Sequence, residues 1–131
     1  MNHVYPAVFY PEDNGTYSVI FPDLNDLATQ GDTLAEAMSM AEDACSLYLF
    51  TSVRDGEPLP EPSDIGDIAK VNDKAFVNMV RVDLAEYSKK HSDKSVKKTL
   101  SIPAWLNTVC EESNINFSKV LQEALMDKIQ V

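Results

Sequence analysis

The sequence predicts an α+β chain in two parts, a small sheet carrying one packed helix and then a strand-helix-helix unit. Three observations predict it. Strand-like runs flank a turn at Asn14-Gly15, a helix-period run follows a capping signature at Thr33, and beyond Leu84 a polar, basic stretch precedes a second, shorter pattern.

Val4 to Tyr10 and Thr16 to Phe21 are rich in β-branched and aromatic residues, and Gly15 in Glu12-Asp13-Asn14-Gly15 supplies the turn of a hairpin. Pro22-Asp23 ends the second strand, leaving room for one brief strand around Leu27 to Gln30. Thr33 with Glu36 three residues on is a capping-box signature. Leu34, Met38, Ala41, Cys45, Tyr48 and Leu49 then recur at helical spacing, predicting a helix over Leu34 to Val53. Asp55-Gly56 stops it, and Pro58, Pro60 and Pro62 make a stiff extended connection. For Ile65, Ile68 and Val71 a short helix and an irregular loop stay open. Ala75 to Val82 is a further strand.

Tyr87 to Lys94 is expected as a linker, either extending that strand or mobile, so the predicted organisation is 1–86, a basic linker at 87–95, and 96–131. In the last part, strand-like Val96 to Ile102 leads to Pro103, which suits a first helical position, and then to an amphipathic helix Ala104 to Ser113. Asn114-Ile115-Asn116 breaks that helix. A second helix comes next, with Phe117, Val120, Leu121, Ala124, Leu125 and Ile129 on its apolar face.

With 131 residues, 44% of them hydrophobic, the chain suits one compact domain or two very small ones rather than a disordered tail. Apolar runs without a charge reach only about ten residues, and no signal-peptide pattern opens the chain, so no membrane partner and a cytoplasmic location are expected. Cys45 and Cys110 are far apart within helical patterns and His3 and His91 are the imidazoles present, which disfavours a zinc site or a disulfide framework. No metal and no cofactor are expected.

Charge divides unevenly along the chain. Residues 1–86 hold four cations against sixteen carboxylates, a balance of −12, whereas residues 87–131 hold seven lysines against five carboxylates, or +2. Lys89, Lys90, Lys94, Lys97 and Lys98 face only Asp93. The acidic part suits a basic partner, and the basic hinge with the residues C-terminal to it suits nucleic acid.

A strand-helix-helix unit of about 36 residues is too small to bury an adequate core alone. Its single strand also leaves backbone groups unpaired, and an identical strand from a second copy, antiparallel across a two-fold axis, pairs them. A homodimer through the C-terminal part is therefore predicted, with dimer and tetramer both open for the whole chain. In such a ribbon Leu100 and Ile102 face the helices while Lys97, Thr99 and Ser101 face outward, a row that fits base edges in the major groove of double-stranded DNA.

Lys97 to Ile129 resembles a ribbon-helix-helix DNA-binding domain, on Ser-Ile-Pro-Ala-Trp-Leu at the strand-to-helix junction and Asn-Phe-Ser-Lys-Val-Leu-Gln-Glu-Ala-Leu in the second helix. The resemblance implies that Lys97, Thr99 and Ser101 read operator bases and that Asn116, Phe117 and Ser118 clamp a phosphate. Free amides at a helix N-terminus give the second role an independent reason. Lys94 and Lys98 are the phosphate contacts expected of the hinge. The family often carries arginine in the ribbon, and a lysine donates less directionally to guanine.

Residues 3–83 resemble the HicB family of antitoxins, on Tyr5 to Tyr10, Asn14-Gly15, Phe21-Pro22-Asp23-Leu24, Thr29-Gln30-Gly31-Asp32-Thr33, Glu36-Ala37 and Pro60-Glu61-Pro62-Ser63. This resemblance implies a partial RNase-H-like fold without its catalytic carboxylates. It also implies a HicA-type toxin as partner, a small basic mRNA-cleaving ribonuclease of double-stranded-RNA-binding fold whose active face the domain covers. A family variant carries a helix-turn-helix tail, and this chain resembles the ribbon-helix-helix form. Asp23, Asp26 and Asp32 are candidate stand-ins for RNA phosphates against toxin lysines.

Plainer readings stand beside these. Glu12-Asp13, Glu42-Asp43 and Glu111-Glu112 read as solvated surface, because sequence neighbours point apart. Asp23 and Asp26 flank a turn, and a turn or toxin-contact role outweighs a nuclease metal site. His3 and His91 lack a nucleophile at a recognisable spacing, Trp105 and Phe117 read as dimer core rather than stacking platforms, and Cys45 and Cys110 as small buried hydrophobes. The expectation is an antitoxin that is not an enzyme, masks a toxin ribonuclease and represses its own operon, nucleoid-associated when bound there. A stand-alone ribbon-helix-helix regulator with a ligand-sensing or oligomerising N-terminal domain is the alternative, and an RNase-H-like nuclease a third class.

Overall fold

The computed structural model describes residues 2–70, 72–91 and 96–129. Four strands, β1 (Asn2–Pro11), β2 (Tyr17–Phe21), β3 (Leu27–Gly31) and β4 (Phe76–Asp83), pair in the order β3-β2-β1-β4, every neighbour antiparallel. The hairpin between β1 and β2 closes through Glu12 N–H on the Thr16 carbonyl at 2.8 Å, and Gly15 takes the positive φ of 87° that the turn requires. Registers Phe9↔Val19, Phe9↔Phe76 and Tyr5↔Val80 place these side chains on one face, where the Phe9 and Phe76 rings stack 5.2 Å apart. Against that face lies α1 (Leu34–Arg54), which buries Ala37, Ala41, Cys45 and Leu49. Together they form the core with Tyr5, Phe9, Val19, Phe21, Leu24 and Val82.

The ends of α1 reflect local chemistry. The Thr33 hydroxyl accepts the Glu36 N–H at 3.1 Å, as the capping signature predicts, and Gly56, at φ 73°, donates to the Val53 carbonyl beyond the last turn. Gly31 belongs where β3 meets this helix. A Cβ built there would sit 2.3 Å from the Ala37 nitrogen, so the strand approaches the first turn as closely as it does because the residue has no side chain.

Two expectations for the middle and end of the chain change. Residues 84–91 form a helix, α2 (Leu84–His91), so the basic linker expected at 87–95 is helical as far as His91, and residues 92–95 lie outside the described residues. The cause is twofold. Asp83 Oδ1 accepts the Glu86 N–H at 3.1 Å as a cap, while Leu84 and Ser88 bury against the body and the Tyr87 ring meets Phe50 edge-on at 5.6 Å. Of the residues left open, Ile65 to Asp67 make one 3-10 turn, Ile68 continues from it in extended backbone, and Val71 lies outside the described residues.

Over Val96 to Ile102, where a strand is expected, no strand forms, and the segment belongs to no sheet among the described residues. A strand is defined by its ladder, and this segment has no partner strand here. The two helices do form, α3 (Ala104–Glu112) with Pro103 just before it rather than inside it, and α4 (Phe117–Lys128) capped by Asn116, whose side chain accepts the Lys119 N–H at 3.1 Å. Asn114, with φ 56°, turns the chain between them.

Candidate functional site

The acidic candidates occupy different structural positions. Asp23 sits in the 3-10 turn Pro22–Leu24, which drops Leu24 into the core directly after β2. Its Oδ2 accepts the Ser63 backbone N–H at 2.8 Å and its Oδ1 accepts the Ser63 hydroxyl at 2.7 Å. Three residues earlier on the same strap, the Pro60 carbonyl accepts the Tyr5 hydroxyl at 2.6 Å. Two clamps thus hold the proline-rich connection against the sheet, and Asp23 has committed both carboxylate oxygens to one of them. The clamps explain why Phe-Pro-Asp-Leu and Pro-Glu-Pro-Ser occur in one chain: the first motif binds the second.

Burial, assisted by Cys45 and the nearby Glu61, Asp23 and Tyr48, pushes the Tyr5 hydroxyl up to about 12, so it remains a donor to Pro60 across the neutral range. Burial likewise raises the Cys45 thiol to about 12, which leaves it a packed, unreactive side chain. Cys110 is half-buried and unpaired.

Asp26 and Asp32 are exposed, one just before β3 and the other just after it. The five-residue strand between them sets them about 20 Å apart. They mark the two ends of an edge strand and do not form one acidic cluster with Asp23. Among the described residues no three His, Cys, Asp or Glu side chains converge on a metal-sized site. Among them, too, no helix is long and apolar enough to cross a membrane.

The basic candidates lie in the last part. Lys97, Lys98, Thr99 and Ser101 are all exposed on the irregular segment before α3, and Lys94 lies outside the described residues. Neither α3 nor α4 buries a residue. Trp105 is 68% exposed, and Leu100, Ile102, Val109, Val120, Leu121 and Leu125 are exposed with it, an amount of apolar surface that a water-soluble helix pair does not ordinarily leave uncovered. Asn116 caps α4 through Lys119, so the first-turn amides of Phe117 and Ser118 point out of the helix end. Lys119 and, from α2, Lys89 line one shallow cleft with Asn116, Ser118, Glu123 and Met126. Lys119 does not stand out in the sequence as an anion contact, whereas Lys89 belongs to the basic run already read as suited to nucleic acid. The capping Asn116 marks the position of the first, whereas the second is brought there by tertiary placement.

A family model described as HicB_like antitoxin of bacterial toxin-antitoxin system matches residues 5–125. Antitoxin HicB 1 of Photorhabdus laumondii subsp. laumondii is 40% identical over 65 residues, which make up 50% of this chain and 42% of that protein, so the matched stretch spans less than half of the relative. A solved structure described as a toxin-antitoxin complex from Streptococcus pneumoniae aligns with a TM-score of 0.62 at 34% identity, covering 98% of this chain and 99% of that one. The crystal structure of the Burkholderia Pseudomallei antitoxin HicB aligns over 97% of this chain and 96% of its own, with a TM-score of 0.55 at 20% identity, a likeness of fold alone.

Proposed function

The chain belongs to the HicB-like antitoxins of bacterial toxin-antitoxin systems, and from that premise we propose that it performs two tasks, one in each part. The N-terminal α+β domain, a partial RNase-H-like fold, captures a HicA-type toxin ribonuclease and covers its RNA-binding face. The C-terminal unit pairs with a second copy as a ribbon-helix-helix domain, binds operator DNA and represses the operon. One observation carries the division. An acidic domain with a finished core is joined through a lysine-rich hinge to a charge-balanced unit whose helices bury no residue completely, α4 reaching that core through the half-buried Met126.

Capture in this reading is steric and electrostatic and involves no bond-making chemistry. The −12 balance of residues 1–86 draws a basic partner at long range and makes association fast and salt-dependent. Because Asp23 is engaged by Ser63, Asp26 and Asp32 are the aspartates left to meet toxin cations. In the C-terminal unit, ribbon pairing places Lys97, Thr99 and Ser101 over base edges, with Lys94 and Lys98 at the backbone and the amides of Phe117 and Ser118 on a phosphate. Dimers and tetramers both satisfy this arrangement.

The test reconstitutes both tasks. Purified chain is added to the small basic ribonuclease encoded beside it, and to its own upstream DNA. Cleavage of RNA should stop at stoichiometric addition, and the DNA should shift. Replacing Lys97, Thr99 and Ser101 together by alanine should abolish operator preference while leaving toxin inhibition intact; retained selectivity would refute the ribbon assignment. A chain that binds its DNA but leaves the ribonuclease active would make it a stand-alone regulator.

A further inference from the structure

Helix α1 turns Ala37, Ala41, Cys45 and Leu49 to the sheet. On its outward side, where an amphipathic surface helix ordinarily carries charge, it presents Met40 and Leu47 instead, 41% and 55% exposed. They are seven residues apart, two turns along one row, and the small Ala44 between them leaves a low point. Leu27 of β3, Ala44 and Leu47 line an apolar groove with Glu57 among its walls, and Met40, Asp43, Ala44 and Leu47 line the adjoining one, closed on its far side by Tyr87 and His91 of α2. Beside the groove β3 is the edge strand of the sheet, so among the described residues its outer backbone groups have no strand to pair with.

The segments that supply β3 and α1 to this groove are strongly acidic, whereas α2 on its far side ends in Lys89, Lys90 and His91. From Asp26 to Glu57 the chain holds seven carboxylates and one cation, Arg54, which lies 3.2 Å from Asp55. We infer that this outward face of α1, with the adjoining edge of β3, is the docking surface for a basic protein that offers an apolar anchor ringed by lysines or arginines. The inference rests on the toxin-capture reading and adds where on the domain capture takes place. An apolar centre within a charged rim is the usual anatomy of a specific protein interface. A second copy of this chain is a poor occupant, because it would bring the same acidic rim against this one.

The test uses the full chain and the purified ribonuclease encoded beside it. The double variant Met40→Glu with Leu47→Glu alters exposed side chains, so its thermal midpoint should match the unmodified chain. Its affinity for the ribonuclease should fall by about thirty-fold or more, the scale of losing an interface hot spot. Reversing the rim with Asp43→Lys and Glu57→Lys should slow association several-fold at low salt and much less at high salt. Unchanged affinity in the Met40→Glu, Leu47→Glu variant, with the unmodified chain binding normally, overturns the docking surface and leaves the capture reading standing. Loss of self-association in place of ribonuclease binding overturns it too, and assigns the face to a second copy. An unmodified chain that does not bind the ribonuclease removes the capture reading and this inference together.

Discussion

Residues 2–91 and residues 96–129 use similar proportions of apolar side chains to opposite ends. In the first region Phe9, Phe21, Leu24, Leu49 and Leu84 are completely buried between one sheet and its helices. In the second, Trp105, Leu121 and Leu125 stay exposed although both helices are formed and capped. The difference is one of closure rather than of helix quality. A sheet supplies a broad face on which α1 can be covered, whereas two short helices and an irregular lead-in segment have no sheet to lie on. Stability in the first region should therefore belong to the single chain, and in the second to a pair of chains, with a measurable dependence on concentration.

The largest effect expected from a substitution tests the first half of that contrast. Phe21→Ala removes a fully buried ring from the core and should cost about 3–5 kcal/mol, a loss visible in chemical denaturation and equal at all protein concentrations. Leu121→Asp tests the second half. By placing a carboxylate on the apolar face that the proposed dimer covers, it should weaken dimerisation by about a hundredfold, roughly 3 kcal/mol, while leaving the N-terminal transition unmoved. Sedimentation across a dilution series reads this, and an unchanged dimer constant would show that the exposed apolar set is covered by something other than a second copy.

Smaller effects resolve how the first region is closed. Gly31→Ala forces a methyl group into the first turn of α1 and should destabilise by about 1–3 kcal/mol, seen as a lower midpoint in thermal melts. Tyr5→Phe loses the hydrogen bond to Pro60 and should cost about 1 kcal/mol at neutral pH. The same substitution changes the alkaline limb. The Tyr5 hydroxyl is raised from 10.0 to about 12 in the folded chain, so its contribution is complete below pH 10 and is lost as pH rises toward 12. Cys45, raised from 9.0 to about 12, adds to the fall over pH 9 to 12 in the same direction. Denaturation of the Tyr5→Phe variant should therefore show a shallower loss of stability over that range than the unmodified chain.

Helix α2 carries a local signal that its own charge obscures. Asp83 and Glu86 have the spacing of a helix start, and the Asp83 carboxylate does cap the Glu86 amide. The lysines beyond them point to a linker instead, because a run of like charges ordinarily reads as a solvated segment. Two aromatic contacts, Phe50 with Tyr87 and Tyr87 with His91 at 4.0 Å, accompany the helix there, and the first of them joins segments 37 residues apart in sequence. For the acidic candidates the opposite holds. Nothing near Asp23 distinguishes it from Asp26 or Asp32, and only the arrival of Ser63 separates a structural clamp from two exposed loop carboxylates.

By itself the sequence determined the hairpin at Asn14-Gly15, the start of α1 at Thr33, its stop at Asp55-Gly56 and the break between α3 and α4. Each depends on a cap, a turn or a periodicity contained within a few residues. It also determined that the chain has an acidic body and a basic end. Tertiary structure alone decided which strands became edges, how the proline strap is held and which face of α1 stays uncovered. The clamps join residues 40 and 55 positions apart. Contacts of that kind form only once the intervening chain has closed around a core, and local residue preference does not encode them.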